Sequence, residues 1–153
     1  MVAASSPGLM ANPVYLGGKV VKSTVPEVRG APGPDAPVLK RLLLPQGELA
    51  QFYDAAEGIR YMAIIELKPG KPRGNHYHKV KEEMVYLFEG KAELIVEDVD
   101  GQGHASVPLE TGDLVMIQTE VAHALRASEP GKAIEFSKTR FNARDIYPYK
   151  LCD

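Results

Sequence analysis

The sequence lacks tryptophan, has a single cysteine and contains no long apolar run. A lone Cys152 cannot form an internal disulfide, and we interpret it as a residue of a frayed tail. No stretch approaches the roughly 20 apolar residues that cross a bilayer as a helix. The first residues also lack the positive segment and continuous apolar core of a signal peptide. These absences predict a cytoplasmic protein that does not enter a membrane.

The sequence also lacks an excess of charge of either sign. Lys and Arg total 18 against 20 Asp and Glu, for a net charge of -2. Such a balance offers no strong attraction to nucleic acid or to an anionic membrane. Hydrophobic residues make up 44% and charged residues 25% of the 153, as in one ordinary globular domain. The expected partners are therefore small molecules and other protein chains.

Composition divides the chain into two parts. Residues 1–38 are rich in Pro, Gly, Ala and Ser, and Val28–Pro37 is dense in Pro and Gly. Proline removes backbone donors and glycine is costly to order, so we predict an irregular N-terminal arm. Residues 39–153 are predicted to form one barrel domain with a C-terminal tail. Because exposed sheet edges of a small barrel are commonly covered by pairing, with the arm available as a clasp, we predict a homodimer.

From Leu39 onward, short apolar runs alternate with turn signals such as Pro69-Gly70 and Asp100–Gly103. Short strands at this spacing predict an all-β sandwich or barrel. The segment Leu49–Gly58 fits a short helix or a strand equally well. The predicted strands are Tyr61–Leu67, Met84–Phe88, Lys91–Asp98, Leu114–Ile117, Ala122–Ala127 and Ala133–Lys138.

Three of the four histidines fall in an arrangement suited to a metal. His76 and His78 are two residues apart, and on a strand such residues share a face. Two carboxylates follow, Glu82 and Glu83, and His123 lies in another predicted strand. Imidazole and carboxylate ligands suit Zn, Mn, Fe, Ni or Co. The pattern therefore predicts a divalent metal ion of unknown identity.

Periodicity alone does not decide which glutamate faces the histidines. Glu83 is an odd number of residues from His78, so one unbroken strand would place it on the opposite face. The intervening residues would then have to bend or begin a new strand. Glu82 is the evenly spaced rival, and either choice places apolar neighbours inside. We interpret Lys79 and Lys81 as part of a solvated turn.

The spacing of glycines around these residues resembles that of the cupin superfamily. Motif one is complete at Gly70, His76, His78, Glu83 and Gly90, and motif two is present in part at Gly112 and His123. Gln118, Glu120 and Ala127 stand where a proline, a glycine and an asparagine are usual. The resemblance implies a single antiparallel cupin β-barrel of the jelly-roll type. It also implies an inward-facing metal site made of His76, His78, Glu83 and His123, which favours Glu83 over Glu82.

A shorter segment, Arg73–Lys79, is similar to the corresponding segment in cupins of nucleotide-sugar and capsule-polysaccharide biosynthesis. This weaker resemblance implies a role in carbohydrate metabolism, with Arg73 and Tyr77 as substrate-binding residues. Elsewhere, we predict an exposed loop position for His104. Arg126 is predicted to point outward because it is out of phase with His123.

Three functions remain open at this stage. The first is a metal-dependent isomerase, lyase or dioxygenase acting on a small sugar-like or carbonyl molecule. The second is a metal-independent nucleotide-sugar isomerase or epimerase, in which His76 or His78 would be the catalytic base. The third is a non-catalytic module that binds a small ligand.

Overall fold

The structure is a computed structural model that describes residues 12–153. The first eleven residues of the predicted arm lie outside the described residues. In the described part, no helix is long and apolar enough to cross a membrane. The strands are β1 Val14–Tyr15, β2 Val20–Thr24, β3 Glu27–Arg29, β4 Lys40–Leu44, β5 Gly47–Gln51, β6 Tyr61–Leu67, β7 Arg73–Tyr77, β8 Glu83–Glu89, β9 Lys91–Asp98, β10 His104–Glu110, β11 Asp113–Ile117, β12 Val121–Ala127, β13 Gly131–Ser137 and β14 Tyr147–Pro148. Two short 3-10 turns span Leu16–Gly18 and Ala143–Asp145.

Two large sheets form the body of the protein. One has the strand order β1-β2-β11-β8-β13-β6 and the other β10-β9-β12-β7-β14, and every neighbouring pair in them is antiparallel. A small third sheet has the order β3-β4-β5, in which β3 and β4 are parallel. The predicted all-β, jelly-roll class is therefore confirmed, with one parallel pair outside the main sheets.

Most strands lie where the apolar runs placed them. Tyr61–Leu67 and Lys91–Asp98 coincide with β6 and β9, and the Asp100–Gly103 turn joins β9 to β10. Within Leu49–Gly58 the strand interpretation is correct as far as Gln51, where β5 ends. His104 is exposed as expected, but it opens β10 instead of lying in a loop.

Part of the predicted irregular arm is a strand of the barrel. Val20–Thr24 pairs with β11 along its whole length, and the side chain of Val20 is completely buried. Without this strand β11 would be a sheet edge with unpaired backbone groups, which explains why the arm becomes regular there. The Pro- and Gly-rich stretch after β3 has no regular structure before β4.

Strand β8 is buried on both faces, because the structure has two apolar cores. One core, which includes Val85 and Leu87, fills the space between the large sheets. The other, around Tyr86, lies on the outer face of the six-stranded sheet, where Phe52 stacks on Tyr86 with ring centroids 4.3 Å apart. Both sets of alternate residues in β8 are therefore apolar, and periodicity could not tell inside from outside.

The turn before His123 keeps its shape although Glu120 stands where cupins usually have glycine. Glu120 has a φ of 60°, the left-handed region that favours glycine. Its amide donates to the carbonyl of His78 at 2.7 Å, and its carbonyl accepts from Val99 at 3.2 Å. These two hydrogen bonds hold a strained residue in place, so the turn is maintained without the usual glycine.

We expect Glu120→Gly to raise the free energy of unfolding by about 0.5 kcal/mol, because relief of left-handed strain exceeds the extra entropy of glycine in the unfolded chain. The control is Asn75→Gly, at a φ of 56°. The Asn75 side chain accepts from the amides of Leu151 and Cys152 and donates to the Cys152 carbonyl. Its loss should cost about 1–3 kcal/mol. Urea unfolding of both variants measures their free energies of unfolding. A stabilised Asn75→Gly would contradict the stabilising role assigned to the hydrogen bonds of the Asn75 side chain.

Candidate metal centre

Three histidines meet at one end of the barrel. His76 lies in β7, His78 lies one residue beyond the end of β7, and His123 lies in β12 directly opposite His76 in the register. The ring centroid of His76 lies 4.9 Å from that of His78 and 4.9 Å from that of His123. The ring centroids of His78 and His123 are 5.5 Å apart. Residues remote in sequence are thus brought together because β7 and β12 are neighbouring strands.

The carboxylate that joins them is Glu83, the first residue of β8 in the opposite sheet. Glu83 is buried, whereas Glu82 is exposed. Glu83 Oε2 lies 2.7 Å from His123 Nε2, and Glu83 Oε1 lies 4.0 Å from His78 Nε2. One donor atom from each of the four residues His76, His78, Glu83 and His123 lies within 4.8 Å of the others. The site therefore spans both sheets.

Two of the imidazoles are oriented by the backbone. His78 Nδ1 lies 2.7 Å from the carbonyl oxygen of Asp145, and His123 Nδ1 lies 3.0 Å from that of Val121. A carbonyl can only accept, so Nδ1 carries a proton in both rings, and the neutral form of each ring has its lone pair on Nε2. The Nε2 atom of His78 is buried without a hydrogen-bond partner, and the buried Nε2 atom of His123 lies 2.7 Å from Glu83 Oε2. Burial would lower the pKa of His123, but the Glu83 carboxylate raises it. Buried lone pairs aimed into one space fit a divalent ion.

A glycine allows the two histidine strands to approach. Gly74 in β7 has a φ of 96°, and a Cβ atom built on it would lie 2.6 Å from the carbonyl oxygen of His123. The register between β7 and β12 also shifts between His123 and Ala124. Any side chain at position 74 would push β7 away from β12, and with it His76 from His123.

The environment of Glu83 corrects the prediction that Lys81 belongs to a solvated turn. Lys81 is buried, and its Nζ lies 3.3 Å from Glu83 and 3.0 Å from Glu135. It also lies over the ring of Tyr61, 4.4 Å from the centroid. Lys79 is exposed as expected. No sequence pattern indicates this arrangement, because an uninterrupted Lys-Glu-Glu run is typical of a solvated surface.

These contacts decide the protonation of the buried charges. Burial would raise the pKa of Glu83, but His123, Glu135 and Lys81 together hold it well below its usual range. The pKa of Glu135 is raised to about 7, mainly by burial and to a smaller extent by repulsion from the Glu83 carboxylate. Burial would lower the pKa of Lys81, but the two carboxylates raise it. At neutral pH the cluster holds one firm carboxylate, one ammonium and one carboxyl near its midpoint.

Three of the four candidate ligand residues border a small cavity of about 120 Å³. His76, Glu83, His123 and Glu135 line its polar end, whereas His78 does not line it. The remaining wall is mostly apolar, formed by Ile65, Val85, Leu94, Ile117 and Leu125, with Arg73 and Gly74 completing the lining.

The predicted substrate-binding residues lie in different places. Arg73 is exposed, lines the cavity and donates from Nε to the Glu66 carbonyl at 2.7 Å. Tyr77 does not line this cavity: its ring lies against Tyr147, with centroids 5.1 Å apart. Tyr77 is out of phase with His76 and His78, which explains its different face. Arg126 is exposed, as its phase predicted.

An all-β jelly roll with imidazoles and a carboxylate at one end of its interior defines a class of small-ligand barrels. Residues 63–136 match the Cupin_2 family, described as a cupin domain, so this part of the chain is a cupin domain. It is also 33% identical over 66 residues to the "Polyketide synthase CurC" of Streptomyces cyaneus. That alignment covers 43% of this chain and 39% of the relative, so it spans about two fifths of that protein's length.

Solved structures share the fold. A 3,4-ketoisomerase from Helicobacter canadensis superposes with a TM-score of 0.62 at 20% identity, over 71% of this chain and 84% of that one. The QdtA 3,4-ketoisomerase from Thermoanaerobacterium thermosaccharolyticum, solved with TDP, gives 0.65 at 14% identity, over 84% and 86%. At these identities the likeness establishes the fold.

The raised pKa of Glu135 predicts a pH-dependent contribution to stability. A group with a folded pKa near 7 and an ordinary value of 4.5 binds more protons when folded between these values. Its contribution is therefore present below about pH 4.5 and is lost as the pH rises to about 7. Relative to Glu135→Gln, the metal-free wild type should lose stability across this window.

Denaturant unfolding of both proteins at several pH values measures the difference. The comparison removes the contributions of groups that do not interact with Glu135. Because Glu135 also raises the pKa of His123, the difference reports Glu135 together with this coupling. A difference in unfolding free energy that stays constant between pH 4.5 and 7 would show that Glu135 is not perturbed.

Proposed function

We propose that this chain is a metal-dependent cupin enzyme that holds one divalent ion with His76, His78, Glu83 and His123. The observation that carries the proposal is the convergence of the buried Nε2 atoms of His78 and His123 on the buried carboxylate of Glu83. A ligand bound there would satisfy His78 Nε2, which is buried without a hydrogen-bond partner. Three neutral imidazoles and one carboxylate leave a bound divalent ion a net charge near plus one.

Such an ion would polarise a carbonyl or hydroxyl oxygen of a bound small molecule. Around it, the residues of the chain would orient the substrate. Glu135 lines the cavity and can exchange hydrogen bonds with a substrate hydroxyl. The apolar wall, with Val85 and Leu125, would exclude water from the other side of the substrate. The small volume favours a compact carbonyl or sugar-like group, with any larger part of the substrate outside near the exposed Arg73.

Metal binding and its dependence on Glu83 test the proposal. Protein that is purified without a histidine tag and then reconstituted with Zn, Mn, Fe or Ni should bind about one ion per chain. Glu83→Gln keeps the side-chain volume and removes the charge, so it should weaken metal affinity by at least 10–100-fold. Titration of the metal-free proteins with Zn or Mn measures this.

Glu82→Gln is the matched control, because Glu82 is exposed and is not part of the group of candidate ligands. It should leave metal affinity almost unaltered. A damaging Glu82→Gln together with a mild Glu83→Gln would overturn the inward assignment of Glu83. A wild type that takes up none of the four metals would overturn the metal-dependent function itself.

A second candidate is a metal-independent nucleotide-sugar isomerase. The fold shared with two 3,4-ketoisomerases favours it, and QdtA has also been solved with TDP-4-keto-6-deoxyglucose. In that case His76 is the better candidate for the base, because it lines the cavity and His78 does not. Incubation with this TDP-sugar separates the candidates: turnover that survives EDTA supports the isomerase, and turnover lost with EDTA supports the metal enzyme.

Homodimer formation and a cytoplasmic location stay predictions. The edge strand β6 supports the first, since Met62 and Ile64 on its outer face are 63% and 73% exposed. Exposed apolar side chains on an edge strand favour pairing with another chain.

A further inference from the structure

The segment between His78 and Glu83 allows two side chains at an odd spacing to face the same site. On one strand the odd spacing would place these two side chains on opposite faces. In the structure β7 ends at Tyr77 and β8 begins at Glu83, so residues 78–82 leave one sheet and enter the other. Both side chains then face the same site. The path of this short connection therefore sets where two of the four candidate ligands point.

A single residue from the far end of the chain holds this connection. The buried carboxylate of Asp145 accepts from the amides of Lys79 at 2.9 Å, Val80 at 3.2 Å and Lys81 at 3.0 Å. The carbonyl oxygen of the same residue accepts from His78 Nδ1 at 2.7 Å. One residue thus contacts four consecutive positions, including one ligand ring and the buried Lys81.

We propose that Asp145 is a positioning residue of the metal centre: its side chain fixes the reversal between His78 and Glu83, and its carbonyl fixes the ring of His78. The inference rests on the proposed metal site. Three amides converging on one carboxylate leave the connection few other paths. The backbone acceptor on Nδ1 keeps the lone pair of His78 on Nε2, where a metal needs it.

The C-terminal segment is attached firmly enough to act in this way. Strand β14 pairs with β7 through Tyr147 and Pro148, opposite Tyr77 and His76. Beyond it, the amide of Tyr149 donates to the carbonyl of Asn75 at 2.8 Å. The segment lies outside residues 63–136, the range matched by the cupin family. The C-terminal segment is therefore an ordered part of the structure around the site. Cys152, which was predicted to lie in a frayed tail, is held by hydrogen bonds between its backbone and the Asn75 side chain.

Asp145→Asn in the full-length protein tests the proposal. Asparagine has the same size, but its NH₂ group would face amide donors, so the connection should lose part of its anchorage. We expect Zn affinity to fall by about 10–100-fold. Asn142→Ala is the matched control: the Asn142 side chain accepts from the Arg144 amide in the same 3-10 turn and, among the described residues, makes no hydrogen bond to residues 78–81. It should lower thermal stability but change Zn affinity by less than twofold.

A second readout does not need the metal. In ¹⁵N-histidine NMR spectra of the metal-free proteins, His78 of the wild type and of Asn142→Ala should show the Nδ1-protonated tautomer. Asp145→Asn should show a shift toward the other tautomer or an average of both. Asp145→Ser, whose shorter side chain carries a single oxygen for the three amides, should show at least as large a shift and provides a second variant if Asp145→Asn does not fold.

The outcomes separate this inference from the proposed function. A folded Asp145→Asn with wild-type Zn affinity and an unchanged His78 tautomer would overturn the positioning role, and so would an equal loss of affinity in Asn142→Ala. A wild type that binds no metal would overturn the metal-dependent function. In that case the tautomer measurement still decides whether Asp145 orients His78.

Discussion

The buried carboxylate of Glu83 is the constraint on which the rest of the site depends. An isolated carboxylate in an apolar interior is costly, so a charge at this position must be compensated. Lys81 contributes a positive charge at 3.3 Å, and His123 contributes an imidazole at 2.7 Å. Lys81 comes from the connection just before β8, whereas His123 comes from the opposite sheet, so the contact between His123 and Glu83 acts across the interior of the barrel. The polar end of the cavity lies where these groups converge.

Each partner brings a requirement of its own. Lys81 is also bound to Glu135, which extends the charged cluster onto β13. For Lys81 to reach Glu83, the backbone after His78 must turn inward, and the carboxylate of Asp145 receives the amides exposed by that turn. The chain therefore uses one buried acid to fix the backbone, and the other is a candidate metal ligand. The two acids have lowered pKa values for different reasons: amide donors act on Asp145, and nearby side chains act on Glu83.

Local pattern predicted the strands and the histidines well. The apolar run of β6 and the turn after β9 depend on neighbouring residues only, and the two-residue spacing of His76 and His78 is a property of a single strand. The burial of Lys81 and the role of Asp145 were not predictable in this way. They depend on contacts between residues more than 50 positions apart, and no periodicity in the sequence carries that information. The same holds for β2, whose strand conformation depends on the free edge of β11.

The departures from the cupin motifs have different physical consequences. Glu120 replaces a usual glycine, but two backbone hydrogen bonds keep it in the left-handed conformation that the turn requires. Gly74 is not part of the quoted motif, yet no larger residue fits, because the His123 carbonyl lies where its Cβ would be. A motif records which residue types are frequent at a position, whereas the structure records which positions have no room or no alternative partner. In this chain the second criterion identifies Gly74, Lys81 and Asp145, and together they extend the site beyond its four candidate ligands to the backbone that holds them.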